Sequence, residues 1–251
     1  MPTPAKSHKG PVHPFDTRYG VETSGLIPGR VIARGTGLAV EELTAYYGVA
    51  PSILDALVDI WLQRTAPPHP ISAFTFLDVG AGKGRALMVA SLHPFLRVEG
   101  IELNAALAAA AAKNIAVWNA REDVDRLAPI ALQHGDATLL PLPAGPTVAF
   151  LFHPFEEPVM RRFLRHVARS LAAAPRAFDL VYVNTEVGSL LDRQPTLHKL
   201  WEGLVPMSPA DHVADLAAIA AQKEYGSTGD ELCAIYRFQP APAKTKRSRA
   251  K

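Results

Sequence analysis

The chain has 251 residues, 48% of them apolar, and a formal net charge of +2. That size and composition suit a single α/β domain with one substantial core rather than two domains, and the apolar runs fall short of the roughly 20 residues that a membrane-spanning helix requires. Lys6 and Lys9 precede no apolar stretch, so the start lacks the layout of a secretory leader, and a soluble cytoplasmic protein with no membrane partner is predicted.

Residues 1–30 are rich in proline and glycine without sustained periodicity, which predicts an irregular arm, extended here over residues 1–39. From Val40 to Arg64 the apolar residues Leu43, Tyr46, Tyr47, Ile53, Leu54, Leu57, Val58, Trp61 and Leu62 recur at helical spacing, broken near Pro51. Two helices within residues 40–66, the second opening at Pro51, therefore begin a domain spanning 40–240. After a proline-rich break, Phe74–Val79 reads as a buried strand that runs into glycines. Gly84–His93 then suits a helix, Arg97–Leu103 a strand, and the alanine-rich stretch Ala105–Val117 a helix. Strand signals return at Ile130–His134, Thr147–Phe152 and Phe178–Val183, with a helix over Pro158–Ala173 between the last two. This alternation argues for a parallel sheet covered on both faces. Trp201–Val205 and Glu231–Phe238 read as strands flanking a helix over Asp211–Gln222, and predict an antiparallel pair that closes the sheet.

Lys244, Lys246, Arg247, Arg249 and Lys251 crowd the last eight residues, and without them the formal charge falls from +2 to −3. The body is mildly acidic, and residues 241–251 read as a disordered solvated tail. The body carries no basic patch that would argue for nucleic acid, and the tail alone leaves that partner open. The lone Cys233 forms no internal disulfide and, within Leu232–Ile235, reads as a small buried hydrophobe. His134, His153, His166, His198 and His212 lack metal-ligand spacing, so no metal is expected, and no Gly-x-Ser-x-Gly element supports a hydrolase.

The chemistry concentrates at the ends of the first four strands. Asp78 ends the first, and Gly80, Ala81, Gly82 and Gly84 lead into a helix, which places a glycine loop at the carboxyl edge of a central strand, where open α/β sheets bind ligands. Glycines there admit close approach and backbone conformations that a Cβ opposes. Lys83 followed by Gly84 and Arg85 fails the phosphate-loop pattern, and Gly-x-Gly-x-Gly fails the dinucleotide spacing. Glu102 ends the second strand, where a carboxylate can accept from both hydroxyls of a ribose. Asp136 follows the third and could accept from an adenine amino group; His153-Pro154-Phe155 follows the fourth. An adenosine-bearing cofactor is implied. Glu156 and Glu157 are either acids of the site or, at a helix start, complements to its dipole, and Lys83 and Arg85 either touch a carboxylate or phosphate or, as the preferred reading, are solvated charges on the first turn.

Phe76-Leu77-Asp78-Val79-Gly80-Ala81-Gly82-Lys83-Gly84-Arg85 and Gly100-Ile101-Glu102-Leu103 resemble the first two cofactor motifs of class I S-adenosylmethionine-dependent methyltransferases, over roughly residues 74–183. The resemblance implies a Rossmann-like, seven-stranded, mostly parallel sheet with helices on both faces, an antiparallel C-terminal strand pair and an N-terminal helical and irregular extension. It also implies S-adenosyl-L-methionine as cofactor, with Asp78 near its methionine part, the glycine loop packed against it, Glu102 on the ribose and Asp136 at the adenine. Phe15–Gly25 resembles the N-terminal segment of a bacterial subgroup whose substrates are mostly unassigned; Asp16 and Thr23 make it either a lid over cofactor or acceptor or a tether packed on the surface. Where amino-group methyltransferases often carry Asn or Asp before Pro and an aromatic residue, this chain has His153, which can accept a proton or hydrogen bond from the acceptor or simply close a strand end, with Phe155 walling the pocket. The methyl acceptor and the oligomeric state are open. The rivals are a non-catalytic S-adenosylmethionine-binding protein and a nucleotide-dependent oxidoreductase on the same sheet.

Overall fold

The computed structural model describes residues 11–221 and 230–239, so the basic tail lies outside the described residues. Seven strands form one sheet: β1 (Thr75–Val79), β2 (Arg97–Glu102), β3 (Ile130–His134), β4 (Thr147–Phe152), β5 (Phe178–Val183), β6 (Leu197–Pro206) and β7 (Asp230–Phe238), in the order β3-β2-β1-β4-β5-β7-β6. The first five run parallel, and β7 pairs antiparallel with both β5 and β6. β1 and β5 are buried along their length, and β4 up to Leu151, as expected of central strands covered on both faces. The order reverses between β1 and β4, which opens a crevice at their carboxyl ends. This is the seven-stranded, mostly parallel Rossmann-like architecture, with its antiparallel C-terminal pair, that the sequence predicts.

The helices are α1 (Pro14–Tyr19), α2 (Gly29–Ile32), α3 (Pro51–Arg64), α4 (Arg85–Ala90), α5 (Ala105–Asn119), α6 (Glu157–Ala173), α7 (Gly188–Asp192) and α8 (Pro209–Ala220). One face of the sheet packs Phe76, Val98, Phe150 and Val181 against α3, α4 and the end of α5. The other packs Leu77, Leu151 and Leu180 against α6 and α7. On α6 the buried residues Val159, Met160, Phe163, Leu164 and Val167 recur at helical spacing; each contributes roughly 1.5–3 kcal/mol by leaving water.

Three expectations are corrected. The helix expected between residues 40 and 50 is a single 3-10 turn, Val40–Glu42, followed by extended chain. Helical spacing there loses to tertiary pairing: Leu43 bridges to Phe155, Tyr46 bridges to Ile27, and Thr44 Oγ1 donates to the His153 carbonyl at 2.7 Å. The arm is not irregular throughout, since Pro14 opens α1, His13 caps it through Nδ1, and Gly20 ends it at φ +71°. β6 extends well beyond the Trp201–Val205 expected, because β7 pairs with it from Leu197 to Pro206 across an irregularity at Lys199/Trp201.

Candidate functional site

A cleft lies over the carboxyl edge of β1, β2 and β4 and encloses about 760 Å³, its open mouth included. Its floor is Val79, Gly80, Gly82, Ile101, Glu102 and Gly135–Ala137. The roof comes from the segment after α2, with Leu38 and Leu43–Tyr47, while Pro154 and Phe155 close one side. The roof residues are the site members that sequence missed, because the segment 43–47 has helical spacing yet is held extended by its partners in the turn after β4 and in the arm.

Gly80, Gly82 and Gly84 all adopt positive φ. The close neighbours are the protein's own side chains. A Cβ on Gly80 would lie 2.6 Å from Pro154 Cβ, and one on Gly82 would lie 2.2 Å from the Tyr46 ring. The loop is therefore glycine so that the roof and the β4 turn can press onto it. Gly84 caps α4 and packs on Ala111, outside the cleft. Asp78 and Ala81 line a small adjoining cavity beneath Tyr46 and Tyr47.

Glu102 is buried, and its two oxygens accept from the backbone N–H groups of Gly82 and Asn104, each at 2.7 Å. It thus ties the glycine loop to the start of α5, and each oxygen keeps a lone pair for a ligand hydroxyl. Burial pushes its pKa up. Asp78 is pushed up to about 8, first by burial and then by the charge of Glu102. Asp136 faces the cleft and accepts from the Thr138 N–H at 2.7 Å. The lining of the cleft contains the carboxylates of Glu102 and Asp136 and no lysine, arginine or histidine.

The cations near the loop serve the arm instead, which corrects their reading as solvated charges. Arg85 is buried; its Nε donates to Thr23 Oγ1 at 2.7 Å and a terminal nitrogen to the Gly48 carbonyl at 3.0 Å. Lys83 donates to the Ser24 carbonyl and lies over the Tyr46 ring. Asp16, also buried, accepts from the backbone N–H and hydroxyl of both Thr23 and Ser24. Asp16 and Thr23 line neither the cleft nor its neighbours: they form a latch that fastens the arm to α4. Tyr46 then reaches back to the Thr23 carbonyl at 2.6 Å, which connects the latch to the roof.

His153 follows β4 at φ +37°, a conformation that costs a non-glycine residue about 1–3 kcal/mol, and Asn184 after β5 sits at φ +54°. The His153 ring leaves the cleft and enters a second cavity of about 630 Å³ with Glu156, Asn184 and Glu186. The two cavities share Thr44, Ala45, Tyr47 and Phe152. Pro154 and Phe155 belong to the first cavity only, so Phe155 does not wall the chamber of His153. Glu157 pairs with Arg161 along α6. Cys233 is buried on β7, and burial pushes its thiol well above the usual range, as for a small hydrophobe. Among the described residues no His, Cys, Asp and Glu group could hold a metal, and no helix is long and apolar enough to cross a membrane.

No family model and no curated protein matches the chain. Among solved structures it is similar to a magnesium protoporphyrin IX methyltransferase from Synechocystis with bound S-adenosylmethionine, at 11% identity over 75% of this chain and 79% of that one, TM-score 0.44. A protein from Klebsiella pneumoniae with a provisional O-methyltransferase assignment gives 13% identity, 78% and 84% coverage and a TM-score of 0.47. The 4+2 cyclase SpnF gives 18% identity, 74% and 82% coverage and a TM-score of 0.45. Likeness at this level assigns neither a ligand nor a reaction to this chain. The strand order and the crevice beside β1 define the fold by themselves: a Rossmann-like sheet whose cleft lies under a roof supplied by the N-terminal extension.

Proposed function

We propose that the protein is an S-adenosylmethionine-dependent methyltransferase with its donor in the cleft over β1, β2 and β4. The observation that carries this reading is the charge of the loop and the cleft. Glu102 is buried beside the glycine loop, Asp136 faces the cleft, and no basic side chain lines it; in the small adjoining cavity Asp78 sits with Arg85, whose donors are taken by Thr23 and Gly48. A dinucleotide could place its ribose on Glu102 equally well, but its pyrophosphate would find Asp136 and no cation in the lining, beside a loop whose spacing is not the dinucleotide one. A sulfonium with an α-ammonium group and a ribose suits the same lining: its positive charge is met by acids and by no cation, it favours loss of the proton that burial makes Asp78 keep, and Glu102 has lone pairs left for the ribose hydroxyls. The motifs at Asp78–Gly84 and Gly100–Leu103 point the same way.

The bound donor supplies a methyl group already activated by sulfonium, so the protein's task is to hold it, align a nucleophile and exclude water. Gly80 and Gly82 let Pro154 and Tyr46 close around the cleft, and the roof of Leu43–Tyr47 shields it. Isothermal titration tests the reading, with S-adenosylmethionine, S-adenosylhomocysteine and NADH titrated into wild type and Glu102→Ala. Both sulfur ligands should bind wild type and lose at least tenfold in affinity to the variant, with no heat from NADH. Binding of NADH alone, or of no sulfur ligand, rejects it.

A further inference from the structure

We propose that the cavity of His153, Glu156, Asn184 and Glu186 is the acceptor site and takes a cationic amine, whose proton passes to His153. This rests on the donor reading above, since the cavity adjoins the donor cleft through Thr44, Ala45, Tyr47 and Phe152.

His153 is only 5% exposed. Its Nδ1 is fixed by the Tyr182 hydroxyl at 2.7 Å, and its carbonyl is held by Thr44 Oγ1, so ring and backbone are both positioned. Burial holds the Tyr182 phenol above its usual range, and it stays a neutral hydroxyl able to accept from Nδ1–H. Nε2, at the opposite corner of the ring, is buried and has no hydrogen-bond partner. A buried polar atom left unpaired costs about 1–3 kcal/mol, and a ligand N–H would relieve that cost. Two carboxylates approach the same nitrogen, Glu186 at 3.5 Å and Glu156 at 3.7 Å, with side chains 61% and 39% exposed. They come from different elements, the start of α6 and the loop after β5, and converge only because β4 and β5 are neighbours. Asn184 donates to the far oxygen of Glu186 at 3.0 Å and orients that carboxylate.

This constellation discriminates by charge. A carboxylate acceptor would be repelled by Glu156 and Glu186, and a neutral alcohol would gain little from them. An alkylammonium is attracted by both while donating one N–H to Nε2. The proton then moves to Nε2, and the freed nitrogen lone pair forms the new N–C bond to the methyl carbon. The C–S bond breaks with its electron pair returning to sulfur, which leaves a methylated ammonium and a neutral thioether. His153 afterwards returns its proton to water past the exposed Glu186.

The test measures binding rather than turnover. The whole protein carrying 13C-labelled histidine is titrated with n-butylamine, 1-butanol and butyrate, in the presence and absence of S-adenosylhomocysteine, and the His153 ring resonance is followed. n-Butylamine, as its ammonium ion, should bind at least tenfold more tightly than 1-butanol, with butyrate weakest. The double variant Glu156→Gln/Glu186→Gln, changed at partly exposed positions, should remove that preference while S-adenosylhomocysteine still binds. Equal binding of amine and alcohol, preference for butyrate, or a preference that survives the double variant overturns the proposal. Failure of S-adenosylhomocysteine to bind is read in its own titration and counts against the donor site, so the two failures are distinguishable.

Discussion

Asp78 makes the stability of the fold depend on pH. Its carboxyl is pushed up to about 8 by burial and by Glu102, against 3.8 for the ordinary group. Between about pH 4 and pH 8 the unfolded chain has lost this proton while the folded chain keeps it. Folding therefore takes up a proton in that window, and stability falls as pH rises through it, by at most about 1.4 kcal/mol per pH unit from this group. Above pH 8 both states are ionised and the loss stops growing. Asp78→Asn, neutral and nearly isosteric, removes the effect, so its stability advantage over wild type in urea unfolding should widen from pH 5 to pH 8 and then level off. A constant difference across that range would show that Asp78 titrates normally. The residue was legible in the sequence as an acid before glycines; its raised pKa was not, because it depends first on burial by elements distant in the chain and then on a second buried acid that arrives from β2.

At the scale of elements, the arm depends on a latch rather than on its own propensity. α1 has only six residues, too few to hold as an isolated helix. It is stabilised by Phe15 and Tyr19 packing on Trp118 and by the bonds that Asp16 accepts from Thr23 and Ser24 beside Arg85. Asp16→Ala leaves the buried Arg85 guanidinium without its counter-charge, which should cost about 3–5 kcal/mol. Because Tyr46 joins the latch to the roof, donor affinity should fall in parallel, and limited proteolysis should gain early cuts between residues 20 and 48. A stable, uncut variant with unchanged donor affinity would show that the arm is only a surface tether. Asp16 and Thr23 stood out in the sequence as polar residues in a stretch without a core, yet their partner Arg85 read as a solvated charge; nothing in the spacing of residues 16, 23 and 85 reveals that they meet.

For the molecule as a whole, the layers are fastened by a buried ion pair far from the cleft in sequence. Asp179 on β5 is fully buried, receives two 2.7 Å bonds from Arg237 on β7, and accepts from Trp61 Nε1 on α3 at 2.8 Å. Arg237→Ala would leave that carboxylate buried without its charge partner, and unfolding free energy should drop by about 3–5 kcal/mol in urea; a change under 1 kcal/mol would mean that Trp61 and water satisfy Asp179 unaided. Sequence by itself determined the sheet, because strand propensity, periodicity and glycine punctuation are local, and it placed Gly80, Gly82, Glu102 and Asp136 at one edge because parallel strands align their carboxyl ends. Tertiary structure alone decided the roof of the cleft, the latch on Arg85 and the meeting of His153 with Glu156 and Glu186. Those depend on contacts between residues distant in the chain, whose energies outweigh local preference and leave no periodic signal to read.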